Sequence, residues 1–213
     1  MVRASARSVA AVVLAAAALA SACSPAPSSH GAPPTTGTPF PAGQIDTLPV
    51  AAADMPLVGD TIRSDVAPDV EQSPQATQKQ GPCGLVDAPN DSGQVFGDPL
   101  GFRWTRNSGW SNVYVSQGVG VYPDAATAQS VFAKLVSRAR ECGEQTFTTV
   151  DPSQLAWQRA AGRPGDAGPT TTADQARLVQ NVVVWVTVTQ YEKSPQIAAG
   201  IADQIAAKIT NPA

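Results

Sequence analysis

Few residues in this chain are of a type that does chemistry. There is a single histidine, His30, and it lies in a stretch of Pro, Ser, Thr, Ala and Gly. A Ser-His or Cys-His nucleophile system needs its base held beside the nucleophile, so that class is set aside. Zinc sites of the His/Cys kind fail for lack of ligands. Asp60, Asp65, Asp69 and Glu71 form an acidic stretch, but their spacing matches no calcium loop and reads as a solvated loop. Gly118 and Gly120 follow no phosphate-loop pattern. They alternate along a strand, where a missing Cβ lets a neighbour approach, and Trp104, Trp110 or Trp157 is expected to fill that space. Arg103, Trp104, Trp110, Tyr114, Tyr122 and Arg159 remain as candidate ligand-binding residues, with Arg106 beside them. A sheet face carrying aromatic and guanidinium groups, with helices only on its other side, makes a concave ligand surface. Core packing is the competing reading for each of the aromatic residues. No catalytic residue, no metal and no cofactor is expected.

The amino terminus and the three cysteines set the compartment. Arg3 and Arg7 form a short basic region, and residues 9–19 are apolar and alanine-rich. That run is short for a membrane span. Ala20-Ser21-Ala22-Cys23 follows and resembles a bacterial lipoprotein signal. The resemblance implies a diacylglycerol on Cys23 and cleavage just before it. The usual pattern has Leu, Val or Ile three residues before the cysteine; here Ala20 sits there, with Leu19 one place further out. An ordinary secretory signal ending at Ala22 is the alternative. Each buried methylene contributes about 0.8 kcal/mol, and two acyl chains anchor stably. Lipidation of Cys23 leaves Cys83 and Cys142, a pair that in an oxidising compartment reads as a disulfide. Such a bridge closes a loop of about 60 residues and contributes ~4 kcal/mol in the chain-entropy model. Two buried free thiols are the alternative; the absence of Cys-x-x-Cys spacing disfavours redox work. A net charge of −3 with 15% charged residues points away from nucleic acid and from acidic lipid as partners.

The elements that must position these residues are legible from periodicity. Residues 1–22 read as a lipoprotein signal peptide, 23–44 as a Pro/Ser/Thr-rich linker carrying the lipidated cysteine, and 45–213 as one folded domain. Asp46 or Thr47 is suited to cap a short helix running through residues 50–55, ended by Pro56. Residues 64–82 are polar and Pro-containing, and read as an exposed loop. Alternation on both sides of Asn107-Ser108-Gly109 predicts a hairpin with its turn there. Val113, Val115, Val119 and Val121 give the period of a strand with one buried face. Asp124 then offers a cap, and Ala128, Val131, Phe132, Leu135, Ala139 and Cys142 line one face of a helix that Gly143 is suited to stop. Strands are expected over 146–150, 155–159, 175–180 and 182–190, with a loop over 162–172 and a turn at Gln180-Asn181; a single long, bent strand through Gln180-Asn181 is the alternative. Residues 182–189 are apolar on both faces through Trp185 and are placed centrally in the sheet. Ser194 and Pro195 are expected to open a last helix, with Ile197, Ile201, Ile205 and Ile209 inward and Lys208 at its negative end. The fold class is α+β: a twisted, mostly antiparallel β-sheet with α-helices packed on one face.

In this order the residues resemble a known family. Pro82-Cys83-Gly84, Trp110, Val115 to Gln117, Val121-Tyr122-Pro123-Asp124-Ala125, Ala128, Phe132, Cys142 and Asn181 to Val184 before a closing helix look like the PknH-like extracellular sensor domain. That domain is found in mycobacteria at the outer end of a receptor Ser/Thr kinase and in lipoproteins. The resemblance spans roughly residues 46–210. It implies an antiparallel sheet with packed helices, disulfide clasps and a cleft for a ligand. Family members often carry four cysteines in the domain, and this chain has two. The expectation is a non-catalytic sensor-like domain, held by a lipid anchor on the extracytoplasmic side of the cell membrane, that binds a small ligand or an envelope protein. A structural or assembly lipoprotein is the second reading, and an enzyme using paired carboxylates ranks last.

Overall fold

Val182–Thr189 places β-branched residues at every position except Trp185, a composition that suits a strand covered on both faces. In the computed structural model this strand, β7, is the middle of a seven-stranded antiparallel sheet ordered β1-β2-β3-β7-β6-β5-β4. The other strands are β1 (Asp69–Glu71), β2 (Gly101–Ser108), β3 (Tyr114–Val121), β4 (Thr146–Val150), β5 (Gln154–Ala161) and β6 (Thr170–Val179). The structure describes residues 37–55, 62–63, 66–73, 96–110, 113–141, 146–161, 170–189 and 191–212.

Among the described residues two long helices, α1 (Ala125–Glu141) and α2 (Ser194–Thr210), divide between the faces of the sheet. Val182, Val184, Val186 and Val188 pack with Ile197, Ile201, Ile205 and Ile209 of α2. Val183 and Trp185 turn the other way, into a cluster with Ala128, Phe132, Leu135, Val136 and Ala139 of α1. The α+β class and the antiparallel sheet are as expected, but the helices do not share one face. A strand apolar at every position has two surfaces to remove from water, and one helix covers each. For the same reason β3 is buried on both sides rather than one. Asp124 caps α1 as its position predicts: Oδ1 accepts the Thr127 N–H at 2.7 Å, and that bond holds its carboxyl below the usual range.

A strap, residues 40–55, crosses the α2 side of the sheet. Instead of one helix it forms two 3-10 turns, Ala42–Thr47 and Ala52–Asp54. The cause lies between them. The Gln117 carboxamide takes both backbone groups of Val50, accepting its N–H at 2.7 Å and donating to its carbonyl at 3.0 Å. A residue bonded this way cannot join a helical ladder. Asn181 does the same to Phe40, at 2.7 and 3.1 Å, and also donates to the Tyr122 carbonyl at 2.7 Å. Phe40 is thereby buried, so the packed chain begins before Ile45. Lys208, rather than serving only its own helix end, donates to the carbonyls of Thr47, Leu48 and Pro49.

Three smaller differences follow from pairing. Residues Asp69–Glu71, expected in a loop, add a short edge strand to β2. β2 continues through Asn107 and Ser108, and the connection to β3 is made after Gly109, whose N–H meets the Val113 carbonyl at 2.6 Å. β6 starts at Thr170, inside the predicted loop, because its first residues pair with the end of β5. Ser194 does not cap α2; its hydroxyl donates to the Tyr191 carbonyl at 2.6 Å.

Candidate functional site

The alternation of β2 decides where the predicted ligand residues go. Trp104 faces α1 and is 4% exposed, and Tyr122 is 1% exposed. Both belong to the core on that side. The Tyr122 hydroxyl donates to the Phe96 carbonyl at 2.5 Å, and burial raises its pKa well above the usual phenol range. The Trp104 ring fills the space over Gly118, as the strand glycines predict. Phe96 shares that role over Gly118 and Gly120. Arg106 lies over the Tyr114 ring at 4.0 Å. Trp110, in the connection after β2, is 57% exposed with Arg63 at 4.6 Å from its ring centroid. Arg103 points to the opposite, strap-side face, with Nε 3.2 Å from Asp46 Oδ1. Arg159 is a β5 residue opposite Thr172. The structure therefore does not bring the candidates onto one surface: Trp104 and Tyr122 are core, Trp110 lies in a connection, and Arg103 lies on the strap-side face. Cys23, Cys83 and Cys142 lie outside the described residues, as do His30, Asp60, Asp65 and Gly143.

What the structure does assemble is a groove beside Arg103. Arg103, Thr105 and Asn107 occupy alternate positions of β2 and form its polar floor. Pro49, Val50 and Ala51 to Ala53 of the strap make one wall; Val66, Ala67, Pro68 and Val70 make the other. The volume is about 450 Å³, within the range of small-ligand sites. Thr105 and Asn107 are both buried, and Asn107 is 6% exposed. Gln117 donates weakly to Thr105 Oγ1 at 3.4 Å while holding Val50. Asp46 and Arg103 pair at the rim, so the groove carries one charge of each sign. A second groove of about 530 Å³ runs along α1 past Gln129, Ala133, Ser137 and Arg140 to Asp151 and Pro152. Its polar residues are exposed (Ser137, Arg140, Glu141) or half-buried (Gln129, Asp151), so it lacks a buried polar floor. Among the described residues the one deeply buried carboxylate, Asp174 on the α1 side, accepts hydrogen bonds from Trp185 Nε1 at 3.2 Å and Thr187 Oγ1 at 2.6 Å. That carboxylate serves the sheet.

With this geometry in hand, comparison with known proteins is decisive for the family. The model of the PknH-like extracellular domain matches residues 40–208. The chain belongs to that family. The match opens at Phe40, where the packed strap opens. The extracellular domain of PknH from Mycobacterium tuberculosis, known from a crystal structure, has the same fold: TM-score 0.65 at 15% identity, covering 81% of this chain and 98% of that one. No curated protein matches. Family membership makes this an extracytoplasmic, sensor-like domain. Among the described residues, no helix is long and apolar enough to cross a membrane.

In this PknH-like domain, sequence reasoning found Arg103 but missed Thr105, Asn107, Val66 and Val70. The signal was present in part: polar residues at 103, 105 and 107 alternate with Phe102 and Trp104. Reading Asn107 as the start of a turn hid it, because Asn before Ser-Gly carries a strong turn preference.

Proposed function

We propose that this PknH-like domain is a non-catalytic binding module, held outside the cytoplasm by a lipid on Cys23, which takes its ligand or envelope partner in the strap-side groove. The observation that carries the reading is the groove floor. Thr105 and Asn107 are buried polar side chains opening into a preformed space with apolar walls, and groups withdrawn from water in this way set ligand specificity. The groove offers a guanidinium, a hydroxyl and a carboxamide. Among the described residues that line it, the one acid, Asp46, is already paired with Arg103, which supports binding over bond breaking.

A ligand that binds only the folded state stabilises it, by about 2.7 kcal/mol at a hundred times its Kd. A detergent extract of mycobacterial envelope should therefore raise the thermal midpoint of the wild-type chain. Ala53→Trp, at an exposed groove-wall position, should keep the unliganded midpoint and lose the shift. An equal shift in both proteins would sink the assignment.

The anchor and the clasp rest on sequence: the apolar run before Ala20-Ser21-Ala22-Cys23, and the remaining pair Cys83 and Cys142. Non-reducing mass mapping of the exported protein tests both at once. The expected chain begins at Cys23 carrying acyl chains and yields one linked peptide pair, Cys83 with Cys142. An unmodified amino terminus would refute the anchor, and two free thiols would refute the bridge.

A further inference from the structure

The strap-side face of the sheet carries a repeated device. Asn181 grips the N–H and C=O of Phe40, and Gln117 grips the N–H and C=O of Val50. In each case a buried carboxamide reads one residue of a crossing chain by its backbone alone. This works because a carboxamide carries one acceptor and one donor side by side, the complement of a peptide group. Asn107 lies on this same face. In the β2–β3 register Thr105 is opposite Gln117 and Asn107 is opposite Val115, which sets Asn107 one diagonal step from Gln117. Yet among the described residues the Asn107 side chain has no hydrogen-bond partner, although Asn107 is 6% exposed and lines the groove. Its polar atoms are not sealed from water: the buried, unpartnered side-chain atoms among the described residues are Trp157 Nε1, Arg177 Nε and Gln180 Oε1, so the Asn107 carboxamide faces the open groove.

We infer that Asn107 is a third backbone reader, and that the groove binds an extended, neutral stretch of a partner protein whose peptide group pairs with the Asn107 carboxamide. This rests on the reading of the groove as the binding site and adds the class of ligand. The walls favour small apolar side chains, since they are built from Ala, Pro and Val. The rim favours a neutral occupant, because Asp46 and Arg103 already satisfy one another at 3.2 Å. Backbone pairing supplies affinity in such recognition, and side-chain pockets supply selectivity. Gln175 on β6 is also buried beside a recess, but that space is about 180 Å³, and it lacks the long apolar walls that an extended chain needs.

The probe is a capped tetrapeptide, Ac-Ala-Val-Ala-Val-NH2, added to the full ¹⁵N-labelled chain in detergent micelles. The expected result is movement of the Asn107 side-chain NH2 resonances together with the Thr105 and Val70 amides. N-methylation of the central peptide bonds should abolish it. Asn107→Leu should weaken binding at least ten-fold. The same variant should hold the thermal midpoint, because the Asn107 side chain bonds to no other described residue and its polar atoms already meet solvent in the groove. A lowered midpoint would mean that Asn107 is structural and would overturn the inference. So would equal peptide affinity in wild type and Asn107→Leu. If the peptide moves no resonance while envelope extract still stabilises wild type and not Ala53→Trp, the peptide class falls and the groove stands. If the extract also fails, both fall.

Discussion

Gly118→Ala should destabilise the domain by about 2–3 kcal/mol and lower its thermal midpoint by roughly 5–10 °C. A Cβ placed on Gly118 would lie 2.7 Å from Cε3 of Trp104, 2.8 Å from its Cζ3 and 3.0 Å from Cζ of Phe96. None of these is the free end of a flexible side chain. They are ring atoms in a closed cluster, where Trp104 is buried and Phe96 meets Phe102 edge-on at 5.2 Å. The added methyl must displace aromatic rings or the strand, and close-packed interiors resist both. The collision also names its own relief. Trp104→Leu removes the ring atoms that the methyl meets. The double variant should therefore be more stable than the sum of the two single changes, by at least ~1 kcal/mol in a double-mutant cycle. Strict additivity would show that Trp104 is not what makes glycine necessary at this position.

Asn181→Ala should be the more damaging substitution for the strap, with an expected loss of about 3 kcal/mol. Three backbone groups lose their partner together: the Phe40 N–H, the Phe40 carbonyl and the Tyr122 carbonyl. The Phe40 pair and Asn181 are buried, so water cannot take over without opening the site. The damage should be local in its first step. Hydrogen exchange should accelerate at Phe40 and Ile45, while β5 and β6 keep their protection. Gln117→Leu should act in the same way further along, through Val50. Uniform acceleration over the whole sheet after Asn181→Ala would show that the strap has no separate anchoring.

Much of the frame was legible in the sequence because it depends on local patterns. Trp185 and its valine neighbours announce a central strand, and Asp124 before a 3.6-period run announces α1. The strap was not legible, since its turns are set by Gln117 and Asn181, residues 67 and 141 positions away from the backbone they hold. A short edge strand such as β1 carries no period of its own and forms because β2 offers it partners. The division of the helices between faces was hidden for a different reason: an apolar run shows that two surfaces need cover, not which helix supplies each. Half of the groove escaped because it is not an aromatic surface. Trp104 and Tyr122 look like ligand residues by type, but size and apolarity draw them into the core. Asn107 and Thr105 look like turn and strand filler, and only the register places them on a shared floor.

The most direct test of the groove is hydrogen exchange on the exported chain with and without mycobacterial envelope extract. The account predicts added protection at residues 66–71 and 103–107 and at the strap around Val50, with none along the outer side of α1. Protection confined to α1 from Gln129 to Arg140, or no change anywhere, would contradict it.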